Sequence, residues 1–76
     1  MVTPEDISHW IESALPECQV KVQGDGRHFE AVVVCPEFAN KNMLERHRMV
    51  YKALGNHMES QIHALSLRTL TPEERL

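Results

Sequence analysis

Gln61 to Leu70 read "QIHALSLRTL", and the conformation of these ten residues decides how the rest of the chain is arranged. The stretch alternates with period two, Ile62, Leu65 and Leu67 are marked for burial, and Thr71-Pro72 closes it. That pattern is a β-strand. A histidine, His63, stands at its mouth, next to Ile62 and ahead of the apolar Leu65 and Leu67.

A strand needs partners, and two lie upstream. "CQVKVQ" (18–23) sets Cys18, Val20 and Val22 against Gln19, Lys21 and Gln23. "HFEAVVVC" (28–35) is a β-branched run that Pro36 ends. The intervening "GDGR" supplies two glycines and an aspartate, so the two strands form an antiparallel hairpin. Between this hairpin and the third strand, "MLERHRMVYKAL" (43–54) is helical, with Met43, His47, Val50, Tyr51 and Leu54 on one face and Met58 continuing it. "PEFANKN" leads in irregularly, and Asn40 or Asn42 caps the helix. Gly55-Asn56 divides the stretch into a longer helix and a short one. Two helices make a crossover long enough to return the third strand parallel to the second, with right-handed connection.

Ahead of the hairpin, Thr3-Pro4-Glu5-Asp6 begins another helix: an N-cap hydroxyl, proline in the first turn, then acids facing the positive helix end. Ile7, Trp10, Ile11, Ala14 and Leu15 form its apolar face, and Pro16 stops it. The final "EERL" reads as a short charged tail. The order is α-β-β-α-α-β. The expectation is an α+β two-layer sandwich, one domain over residues 1–76, with helices covering one face of a three-stranded mixed sheet.

Composition narrows the function. With 42% hydrophobic and 25% charged residues in 76, the chain is an ordinary globular one with a modest core, better suited to a binding module than to an enzyme. A formal charge of −3 does not suit a dedicated nucleic-acid binder, although Lys41, Arg46, Arg48 and Lys52 concentrate positive charge locally. Lys41, Glu45, Arg48 and Lys52 fall on one helix face, with Glu45 placed to pair with Arg48. That face is either solvated or a docking surface for phosphate or an acidic partner. The acidic N-terminus lacks a signal-peptide pattern, and no run is long enough to span a membrane, so the expected location is cytoplasmic. Cys18 and Cys35 then read as reduced thiols acting as small buried hydrophobes.

Parallel strands begin along one edge of a sheet. His28 opens the second strand and His63 the third, so adjacency would bring two distant imidazoles together beside the "GDGR" turn. Neutral imidazole suits iron, zinc and copper, and two such ligands leave coordination positions for a partner to fill. The alternative is a hydrogen-bonded strand-end residue and a solvated turn residue. His47 reads as a core residue, and His9 and His57 as surface helix positions. No helix carries the paired histidines and glutamate of a zinc protease, and "GDGR" lacks the ending of a phosphate loop.

"GDGRHFEAVVVCPEF", "RHRMVYKALGNHM" and "QIHALSLRTLTPEE" resemble the BolA family, particularly its short bacterial members. The resemblance implies a fold like the class II KH domain and a partnership with monothiol glutaredoxins. In it a 2Fe–2S cluster is shared between the glutaredoxin with its glutathione and the BolA-like chain, with no cofactor on the isolated protein. The family's C-terminal histidine, in its "IHA" string, maps onto His63. The second ligand, from the loop between the first two strands, maps onto His28. The resemblance also implies a link to transcriptional control and stress or envelope responses, hence DNA as a second partner class. The isolated chain would be a monomer or weak homodimer, without catalysis of its own. Type II KH domains grip single strands through a GXXG loop, and this chain has none. "FANK" puts Asn40 where many members have glycine, a position asparagine can fill because it tolerates the left-handed region.

Overall fold

The computed structural model describes residues 1–75, and Leu76, the last residue of the charged tail, lies outside them. Helix α1 (Pro4–Ala14) starts at the expected cap: the Thr3 side chain accepts from the Asp6 amide, and the Asp6 carboxylate accepts from the Thr3 amide. Strands β1 (Gln19–Gly24) and β2 (His28–Val34) form the antiparallel hairpin, in a register that sets Gln19 opposite Val34 and Gly24 opposite Phe29. Gly24 is required there, because a Cβ would run into the His28 carbonyl and the Phe29 ring. A 3₁₀ turn (Pro36–Phe38) leads to Asn40, whose φ of 65° is the left-handed conformation expected of it. Helix α2 (Met43–Leu54) is capped by Asn42, one of the two asparagines in view. Its side chain accepts from the Glu45 amide while the Glu45 carboxylate accepts from the Asn42 amide.

Gly55, at φ 56°, ends α2, and α3 (His57–Ser60) follows as one short turn. Strand β3 (Ala64–Leu70) lies parallel to β2, in register from His28 opposite Ala64 to Val34 opposite Leu70. The sheet order is β1-β2-β3, the α+β architecture with a mixed sheet that the crossover length required. By register, Val20, Val22, Phe29, Ala31, Val33, Leu65, Leu67 and Thr69 share the face toward the helices. Phe29, Ala31 and Val33 are buried there with Ile7 and Ile11 of α1 and Val50 and Leu54 of α2 in one continuous core. No helix among the described residues is long and apolar enough to cross a membrane.

Several expectations need correction. The residues after Thr71 form a further helical turn, α4 (Pro72–Arg75), instead of an irregular tail. Cys18 and Cys35 are buried as expected, but they are joined as a disulfide instead of standing as separate thiols. They lie one step beyond the Gln19–Val34 pair, so the hairpin register itself sets them face to face. On α2, Met43 and Tyr51 are exposed. The buried stripe runs instead through Arg46, Val50 and Leu54, which leaves Tyr51 at its border. Met43 reaches only the rim of the sheet, where its sulfur accepts from the Thr69 hydroxyl at 3.4 Å.

Candidate functional site

The end of the sheet where β2 and β3 begin is built by local hydrogen bonding. In the hairpin loop, Asp25 Oδ1 accepts from the amides of Arg27 and His28, each at 2.9 Å. Those two bonds, that from His28 first, hold the Asp25 carboxyl below the usual carboxylate range. Gly26 takes φ +99°, a conformation few side chains tolerate. The Ala64 amide donates to the Arg27 carbonyl at 3.1 Å, which ties the mouth of β3 to the loop.

His28 is the first residue of β2, and His63 immediately precedes β3 rather than opening it. Their rings are edge to face, with centroids 5.8 Å apart and planes at 86°, and both residues are exposed. The structure therefore brings together the two histidines that parallel pairing was expected to join. If a tetrahedral metal sits about 2.1 Å from each nitrogen, roughly 3.2 Å from each ring centre, two ligating imidazoles have centres about 5.2 Å apart. The observed spacing is within side-chain adjustment of that value. No group of three His, Cys, Asp or Glu able to hold a metal occurs among the described residues. Asp25 is already committed to the loop amides. The donor set fits two positions of a site completed from outside the chain.

Segment 57–63 is anchored from behind. His57, expected on the surface, stacks on Trp10 of α1 with ring centroids 3.7 Å apart and planes within 3°. Its Nδ1 pairs with the Gln61 side chain. The Gln61 and Ile62 amides both donate to the His57 carbonyl, at 2.9 and 3.0 Å, and Ile62 is buried. His47 is half-buried as its place on the helix implied, but its Nε2 is enclosed without a hydrogen-bond partner. His9 is exposed.

The basic cluster does not survive as a unit. Arg46, grouped with the surface cations on sequence, is buried and structural. Its Nε donates to the Lys41 carbonyl at 2.9 Å, Nη1 to the Thr69 carbonyl at 3.3 Å, and the guanidinium forks onto Glu74 at 2.7 and 3.2 Å. It also lies 5.8 Å from the centre of the Phe38 ring. The guanidinium, followed by the Thr71 amide, lowers the Glu74 pKa to about 2. Glu74 in turn raises the Arg46 pKa. Arg48 and Lys52 are exposed and Lys41 is half-buried; Glu45 serves as a cap, not as a partner for Arg48. The Arg46–Glu74 clasp had a signal in the chain: Thr71-Pro72-Glu73-Glu74 repeats the Thr-Pro-acid-acid pattern of Thr3 to Asp6. It makes the same reciprocal cap, at 2.8 and 3.2 Å.

Comparison with known proteins agrees with this architecture. The profile of the BolA-like protein family matches residues 3–74, and the chain belongs to that family. It is similar in structure to a BolA protein homologue from Coxiella burnetii, with TM-score 0.92 and 59% identity over 99% of this chain and 97% of that one. It is 40% identical to Protein BOLA2 of Arabidopsis thaliana, covering 97% of this chain and 84% of that protein. It is 38% identical to the DNA-binding transcriptional regulator BolA of Haemophilus influenzae over 68% of this chain. The matched region spans half (50%) of that regulator's length.

Proposed function

We propose that this protein is an accessory factor of iron–sulfur handling. It binds a monothiol glutaredoxin and lends His63 and His28 to a 2Fe–2S cluster shared with that partner and its glutathione. The observation that carries the reading is the pair of exposed imidazoles at one end of the sheet, close to ligating separation and with no third ligand grouped with them among the described residues. Membership of the BolA-like family supports it. Histidine nitrogens in place of thiolates raise the potential of such a cluster, which would make the shared form chemically distinct from one held by sulfur alone. The chain's own part is to present both rings: the Asp25 loop positions His28, and the Trp10–His57 stack backs the segment that ends in His63.

Mixing the protein with a monothiol glutaredoxin, glutathione, iron and sulfide should give a heterodimer whose visible absorption and circular dichroism differ from those of the glutaredoxin alone. His63→Ala should remove that difference while leaving the far-ultraviolet spectrum unchanged. A His63→Ala spectrum identical to wild type in the visible region would overturn the assignment.

A second reading, a DNA-binding regulator, is favoured by the exposed Arg48 and Lys52 and by the similarity to the DNA-binding transcriptional regulator BolA of Haemophilus influenzae. It predicts binding to duplex DNA that weakens steeply with salt, because phosphate contacts release counterions. Arg48→Ala with Lys52→Ala should reduce that slope, and absence of binding at moderate salt removes the reading.

A further inference from the structure

The opposite end of the sheet carries a second pair of chemically active side chains. Cys18 and Cys35 are cross-strand neighbours one step beyond the hairpin ladder, joined sulfur to sulfur. The hairpin does not depend on that bond. Six residue pairs set its register, and the Cys35 amide separately donates to the Leu70 carbonyl of β3 at 2.9 Å. With the bond open, both residues remain small side chains within the apolar core, which suits a thiol as well as a disulfide. The two sulfurs differ in access. Cys35 is fully buried at the end of the central strand, whereas Cys18 is slightly exposed, between the turn after α1 and the first ladder pair of an edge strand. Fraying of that strand end is the least costly opening that exposes a sulfur.

The structure assigns Cys18 and Cys35 as a reversible dithiol–disulfide couple, oxidised by low-molecular-weight disulfides such as glutathione disulfide and reduced by the corresponding thiols. In the oxidising direction the Cys18 thiolate attacks one sulfur of glutathione disulfide and expels a glutathione thiolate, forming a mixed disulfide. The Cys35 thiolate then attacks the Cys18 sulfur and expels the second glutathione. The two thiol protons end on the two released glutathiones, so one disulfide is exchanged for another and no further oxidant is consumed. The couple lies seven residues along the chain from His28 at the other end of β2, roughly 23 Å at about 3.3 Å per residue. It is therefore a separate site, not part of the histidine pair.

The test is to equilibrate the full chain in buffers of defined reduced-to-oxidised glutathione ratio, quench with acid, and denature. Free thiols are then alkylated and intact masses read. The expected result is a ratio-dependent exchange between a species with two labels and one with none, without accumulated glutathione adduct or covalent dimer. Cys35→Ala should trap one glutathione on Cys18, while Cys18→Ala should leave Cys35 unmodified. The wild-type measurement stands without the variants. Two labels retained in excess glutathione disulfide would overturn the proposal, as would two bound glutathiones or a covalent dimer. So would a chain that takes no label after equilibration in excess reduced glutathione, since the bond would then be permanent.

Discussion

Reducing the Cys18–Cys35 bond should lower stability by an amount set by the loop it closes. The two cysteines are 17 residues apart. Chain-entropy reasoning for a loop of that length gives about 3 kcal/mol at 25 °C. Unfolding 76 residues carries an entropy near 160 cal/mol/K at the midpoint, so the same quantity corresponds to a fall in Tm of roughly 19 °C. It is an upper figure, because a denatured chain that keeps some hairpin contact has less entropy to lose. A thermodynamic cycle gives a second, independent readout. Whatever the bond contributes to the fold, the fold contributes to the bond, so oxidation by glutathione disulfide should be favoured on the order of 100-fold more in the native chain than in the urea-unfolded one. The assays are thermal melts of the oxidised and reduced forms, with the Cys18→Ala, Cys35→Ala double variant as a reference unable to form the bond, and the glutathione equilibrium with and without denaturant. Equal midpoints for the two redox forms, together with equal oxidation constants, would refute the reasoning.

Three further perturbations probe other parts of the structure. Glu74, its carboxyl depressed from the ordinary 4.5 to about 2 by the Arg46 guanidinium, contributes stability that is present above pH 4.5 and lost as pH falls toward 2. Glu74→Gln should therefore flatten the acid limb of a Tm-against-pH curve in that window; parallel wild-type and variant curves would count against the clasp. Asp25→Ala removes the acceptor for the Arg27 and His28 amides and should weaken cluster-dependent association with glutaredoxin several-fold, while Asp25→Asn, which keeps an oxygen there, should restore most of it. Trp10→Ala deletes the ring under His57 and should cost ~3 kcal/mol or somewhat less, Trp10 being only partly buried, with chemical shifts moving along residues 57–63. Changes confined to α1 would show that the stack does not support the segment leading to His63.

The features legible in the chain were those with a local cause. Caps at Thr3 and Asn42, the glycine turn and the left-handed Asn40 each follow from a few adjacent residues, and each lies where its neighbours require it. The approach of His28 to His63 was legible for a different reason: two helices between two strands force parallel pairing, and parallel pairing aligns strand beginnings. What escaped was long-range and polar. Arg46 looks like a member of a cationic run until Glu74, 28 positions later, turns back on a second Thr-Pro cap to meet it. Charge counted along a helix does not show which cation the fold withdraws from solvent. The Trp10–His57 stack is of the same kind, since neither residue carries a local sign of the other. The cysteine pairing depends on a register that a hairpin closed around the whole "GDGR" turn does not give: pairing Gln23 with His28 would set Cys18 opposite Val33, whereas the observed Gly24–Phe29 pair sets it opposite Cys35.

Strand β2 is what makes the two ends of this molecule independent. It is the central strand, bonded to β1 on one side and β3 on the other, and its inward residues Phe29, Ala31 and Val33 are almost wholly buried. A chemical event at one end is transmitted to the other only by shifting this strand against both neighbours. That would move three buried side chains out of a close-packed core, where even small changes in volume are felt. His28 is further held by the loop bonds of Asp25, none of which involves the cysteine end. Opening the Cys18–Cys35 bond should therefore lower global stability while leaving the amide shifts of residues 25–28 and 62–64 unchanged in the native state, a comparison that nuclear magnetic resonance of the oxidised and reduced chain makes directly. Amide shifts that change at the histidine end on reduction would mean that β2 slides as a unit, and that the redox couple and the histidine pair are coupled instead of separate.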